Sequence, residues 1–79
     1  MLKSYDEKFL ENIALRLKKL REKHNLTQEN FIHDTGIHIG RIETGKRDLS
    51  ATTLIKICKY FNISPQEFFS EGFDDFQIS

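Results

Sequence analysis

Fifteen residues, His33 to Arg47, limit the fold more than any other part of this 79-residue chain: HDTGIHIGRIETGKR. One glycine separates two short apolar-periodic runs, a second closes the stretch, and two cations follow. Gly36 reads as a turn, and Gly45 stands where a helix end commonly takes a positive φ, a conformation without steric penalty for glycine. The spacing predicts two short helices joined by a tight turn. One runs from Gln28 to about Asp34, with Phe31 and Ile32 inward. The other runs from about Ile37 to Thr44, with Ile39 and Ile42 one turn apart.

The flanks carry the same kind of punctuation. Leu10, Ile13, Leu17 and Leu20 recur at spacings of three and four, so they share one face of a helix from about Tyr5 to His24. Ser4 and Glu7 fit its capping box, and Asn25 can close it in a left-handed conformation. Arg16, Lys18, Lys19, Glu22 and Lys23 fall mostly off the apolar face. Thr27 caps the next helix. Ser50 caps a fourth, from about Ala51 to Phe61, with Leu54, Ile57, Cys58 and Phe61 as its buried stripe and Asn62 as its end. Ser64-Pro65-Gln66-Glu67 is the clearest helix start in the chain: Ser at the N-cap, Pro at the first position, Glu at the third. That fifth helix is short and carries Phe68 and Phe69. The chain has no alternating strand pattern, internal repeat or low-complexity segment. The expected fold class is all-α, a compact five-helix domain over 1–69 with an acidic and aromatic tail over 70–79. Its core should include Leu17, Leu20, Phe31, Ile39, Ile42, Leu54, Ile57 and Phe61.

Size and charge narrow the function. A chain this short buries about 60% of its unfolded surface, which favours a binding module over an enzyme with a deep pocket. The formal net charge is zero, but residues 1–24 hold seven Lys/Arg against four Asp/Glu, while 48–79 hold two Lys against five. Only the basic end suits a polyanion, so net charge alone does not decide for nucleic acid. Cys58 is the single cysteine, which rules out an intrachain disulfide and fits a reducing cytoplasm. No apolar run approaches the ~20 residues of a membrane span, and the first residues lack a secretory pattern. His24, His33, His38 and Cys58 lack tight ligand spacing, so no metal or other cofactor is expected, and Cys58 reads as a small core hydrophobe.

Leu26-Thr27-Gln28-Glu29, then Ile39-Gly40-Arg41-Ile42-Glu43-Thr44-Gly45-Lys46-Arg47, then Leu54-Ile55-Lys56-Ile57-Cys58 and Asn62-Ile63-Ser64 resemble, in that order, the Cro/phage-repressor helix-turn-helix family, also called the XRE family. The likeness runs roughly from Leu15 to Phe69, with the motif at about 27–44. It implies a λ-repressor-like domain that binds double-stranded DNA and places its third helix in the major groove. The implied protein is a non-enzymatic, cytoplasmic transcriptional regulator, expected to act as a repressor and a homodimer. Gln28, at the start of helix 2, is implied to meet a phosphate, where free helix N–H groups also point. Arg41 is implied to reach a base edge, a role that suits arginine and guanine. Thr44, Lys46 and Arg47 look like backbone contacts, which hold register without reading sequence. Arg21 and Glu43 match a structural ion pair between helices 1 and 3.

The stretch from Gln28 to Glu43 is about three residues shorter than the family's, nearly one helical turn. Either helix 3 starts later or helix 2 ends earlier. The usual first base-reading turn is then missing, and His38 becomes the leading polar residue. A protein-interaction module of antitoxin type, with DNA specificity weakened or lost, is the alternative function. Phe68, Phe69, Phe73 and Phe76 put four aromatics into nine residues, and helix 5 with the tail is the expected homodimer surface.

Overall fold

Five helices follow one another in the computed structural model, which describes residues 3–74: α1 Lys3–Lys23, α2 Gln28–Thr35, α3 Ile39–Ile42, α4 Ala51–Phe61 and α5 Pro65–Phe68. The caps are local chemistry. Thr27 and Asn30 form a reciprocal box: the Thr27 hydroxyl accepts from the Asn30 N–H, and the Thr27 N–H donates to the Asn30 side chain. Ser50 accepts from the Thr53 N–H and Ser64 from the Glu67 N–H. Each bond satisfies a donor the helix leaves open, and such a cap stabilises by about 1 kcal/mol. Asn25 and Asn62, both at φ 57°, and Gly36, at φ 73°, turn the chain out of α1, α4 and α2.

One core joins all five helices. Ile13, Leu17 and Leu20 of α1 meet Phe31 of α2, Ile39 and Ile42 of α3, Ile57, Cys58 and Phe61 of α4, and Phe68 of α5. Seven of the eight expected core residues are buried; Leu54 is half-buried and packs at the edge. Phe31 stacks on Phe61 at 5.7 Å and meets the Tyr60 ring edge-on at 5.0 Å, which seats α2 against α4. The long α1 is the platform on which the short helices are laid.

The structure departs from the sequence expectations in four places. First, α1 begins by Lys3, so Ser4 lies inside the helix rather than at its cap. Second, α3 is one turn, Ile39–Ile42, not the two turns expected over 37–44. Gly36 ends α2 in the left-handed region, Ile37 turns half inward against the core, and Gly45, at φ 78°, ends the run from the other side. Helix 3 therefore starts late, while α2 keeps its full length.

Third, Arg16 is buried, only 7 % exposed. Its Nε donates to the Phe68 carbonyl at 2.7 Å, Nη2 to the Glu67 carbonyl at 3.0 Å and Nη1 to the Glu71 carboxylate at 3.3 Å. The last carbonyls of a helix lack partners within it, and a guanidinium fork can satisfy two at once. Fourth, the aromatics of the chain's end turn inward. Phe68 is fully buried and Phe73 is 6 % exposed. Phe73 stands 5.8 Å from the Phe9 ring and 4.9 Å from Phe69. The wall that Phe9 supplies on α1 is what receives them. Of the three described aromatics expected at a dimer surface, only Phe69 remains substantially exposed; Phe76 lies outside the described residues.

Candidate nucleic-acid interface

Three helices are locked together behind the motif. Arg21, late in α1, meets Glu43, just after α3, as two parallel bonds: Nε to Oε2 at 2.8 Å and Nη2 to Oε1 at 3.0 Å. Both side chains are about nine-tenths buried. The remaining Nη1 donates to the Leu26 carbonyl at 2.8 Å, so one guanidinium also fixes the approach to α2. The hydrogen bond to Glu43 holds the Arg21 pKa above its already high value. Gln28 joins the same carboxylate, its Nε2 donating to Glu43 Oε1 at 3.1 Å. Glu43 thus ties α1 and the first residue of α2 to the end of α3.

Six side chains singled out from the sequence, Gln28, His38, Arg41, Thr44, Lys46 and Arg47, are all exposed. Arg41, Thr44, Lys46 and Arg47 line one shallow, open concavity at the end of α3, with no carboxylate among its lining residues. The Thr44 hydroxyl donates to the Arg41 carbonyl at 2.7 Å and accepts from the Lys46 N–H at 3.3 Å, so it shapes the turn that carries Lys46. Gly45 packs that turn on α1, where its Cβ would stand 3.6 Å from the Glu11 backbone. On the far side of Lys46, Glu7 and Glu11 border the cationic patch. His38 stands apart at the opposite end of α3, as its N-cap, and makes no side-chain capping bond.

A helix-turn-helix family model matches residues 17–68, more than half of the chain. The chain belongs to the Cro/repressor-like, or XRE, helix-turn-helix family. No curated protein and no solved structure gave a significant match. XRE membership makes this a DNA-binding regulatory domain, and the matched span holds the whole Arg21–Glu43–Gln28 lock and the whole cationic concavity. Among the described residues no helix is long and apolar enough to cross a membrane, and no three His, Cys, Asp or Glu side chains gather as metal ligands would. Cys58 is buried, and burial pushes its thiol pKa up, away from the reactive thiolate.

Two parts of the site escaped the sequence reading. The Gln28–Glu43 bond joins residues fifteen positions apart on different helices and has no local signature. Gly40 had one: a glycine inside a helical run costs about 1 kcal/mol relative to alanine and calls for a packing reason. The reason is the Gln28 side chain, which lies across α3 at Gly40.

Proposed function

We propose that the chain is a sequence-specific transcriptional regulator that represses by occupying its site and lays α3 in the major groove. The observation that carries this reading is the carboxylate-free concavity of Arg41, Thr44, Lys46 and Arg47 at the exposed end of α3. Arg41 stands on the helix itself, where a guanidinium can meet O6 and N7 of guanine. Lys46 and Arg47 follow the helix and reach the flanking phosphates, and Gln28 reaches a phosphate from the start of α2. One turn of helix spans only about 6 Å of groove, so few base pairs are read directly and DNA shape supplies part of the preference. His38 is the remaining candidate for a base contact.

Pairing of two copies would set recognition helices about 34–36 Å apart on a near-palindromic site. Phe69 and its exposed surroundings are the surface for that contact.

Selection of bound fragments from random DNA, followed by mobility shifts at low and moderate salt, tests the function. A recovered consensus that is bound more tightly than bulk DNA at moderate salt is expected. Binding that is uniform across sequences, or absent at low salt, overturns the regulator reading and leaves the protein-interaction module in its place.

A further inference from the structure

Gly40 sits inside α3 with an ordinary negative φ, unlike Gly36, Gly45 and Gly72. Nothing in its backbone requires glycine, and glycine is among the poorest helix formers. The space beside it does require it. A Cβ on residue 40 would stand 2.8 Å from Gln28 Oε1, a distance that real Cβ atoms essentially never show, and 3.4 Å from Gln28 Cδ. Among the described glycines none is so crowded: Gly36 and Gly72 face open space, and the nearest atom to a Cβ on Gly45 is 3.6 Å away. The crowding atom is the far end of a flexible side chain, so a methyl group at residue 40 displaces Gln28 and leaves the fold in place.

The displaced group matters because it is held. Gln28 Nε2 donates one hydrogen to Glu43 Oε1, and Glu43 is itself clamped by Arg21. An amide nitrogen carries two hydrogens. With one fixed on a buried carboxylate, the direction of the other is fixed as well. We propose that Gly40 is a positioning residue for DNA binding: its missing side chain lets Gln28 lie across α3 in the grip of Glu43, which aims the second amide hydrogen at a backbone phosphate. This rests on the DNA-binding reading above, and it adds a residue that touches no nucleic acid.

The test is a double-mutant cycle on the selected DNA site, with Gly40→Ala, Gln28→Ala and the double variant measured by fluorescence anisotropy, and Tm measured alongside. Gly40→Ala should raise Kd about tenfold, the scale of one charge-assisted hydrogen bond, with Tm unchanged or higher. The double variant should bind no more weakly than Gln28→Ala alone. In the DNA-free protein, the Gln28 side-chain amide resonances should move toward free-glutamine positions in Gly40→Ala, as they should in Glu43→Gln. Losses that add in the double variant overturn the proposal, because DNA itself would then be meeting the new methyl. An unchanged Kd, or unmoved Gln28 resonances, in Gly40→Ala also overturns it. A wild-type chain that binds no DNA fails at the earlier step and overturns the functional reading along with this one; binding by the wild type with an unaffected Gly40→Ala overturns the positioning role alone.

Discussion

At the scale of single residues, reading and holding are separable functions. Arg41 projects from α3 and Lys46 from the turn after it, yet both line the same concavity. Arg41→Ala should cost about 1–3 kcal/mol on the selected site and relax preference at one position per half-site. Lys46→Ala should weaken all sequences alike and lower the salt slope by about one unit. Titrations of both variants against consensus and scrambled duplexes across a salt series distinguish the two; if Arg41→Ala behaves as Lys46→Ala does, Arg41 is a phosphate clamp. The buried pair behind them answers to stability instead. Glu43→Ala strands the Arg21 guanidinium at a site about nine-tenths buried, which costs about 3 kcal/mol. Urea denaturation measures it, and a midpoint within error of the wild type would show that the pair is not needed. Because Glu43 also holds Gln28, this variant should lose affinity even where it remains folded.

At the scale of elements, α2 is held to α4 by one polar bond beside the aromatic stack. The Tyr60 hydroxyl donates to Asp34 at 2.7 Å, and the His33 ring lies 3.4 Å from the other carboxylate oxygen. The Tyr60 bond first, and His33 second, hold the Asp34 carboxyl below its ordinary 3.8, while Asp34 holds the Tyr60 phenol above its ordinary 10.0. A depressed carboxyl stabilises the fold above its unfolded value and loses that contribution as pH falls through the lower folded one. A raised phenol stabilises below its unfolded value and loses that as pH rises through the higher folded one. Tyr60→Phe should therefore cost stability at neutral pH, and the deficit should shrink below about pH 4 and above about pH 10. Chemical denaturation of both proteins across pH measures the deficit; a gap as wide at about pH 3 as at pH 7 contradicts it.

Element ends were legible wherever a cap is a local event. Ser50, Asn62, Ser64 and Gly36 act within four residues of themselves, and α4 lies over Ala51–Phe61 as its pattern reads. Exposure of Arg41 also follows from periodicity, since it stands between Ile39 and Ile42. What could not be read was anything decided by a distant partner. Arg16 resembles a solvated cation until the carbonyls of α5 arrive over it, and Phe73 looks like an interface until Phe9 receives it. The length of α3 depended on whether Ile37 joined the helix or the core, and both uses suit an isoleucine.

At the scale of the whole molecule, the buried Phe73 extends the cooperative unit past α5. Phe73→Ala should cost about 3 kcal/mol, a large share of a stability of roughly 5–15 kcal/mol. Thermal unfolding checks this; a variant with unchanged Tm would mean that the segment after α5 is only appended to the domain. Pairing is a separate matter. Sedimentation of the intact chain well above micromolar concentration should give twice the monomer mass, and a monomer there removes the basis for a two-fold operator. The position of Arg16 also bears on how the protein is made. Its backbone acceptors, the Glu67 and Phe68 carbonyls, are synthesised 51 and 52 residues after it. A nascent chain that has already completed the motif still carries Arg16 without these two acceptors, its guanidinium left to water. The motif therefore precedes in the chain the two carbonyls that complete the platform behind it, and a chain cut before Glu67 would keep the motif while losing both acceptors of Arg16.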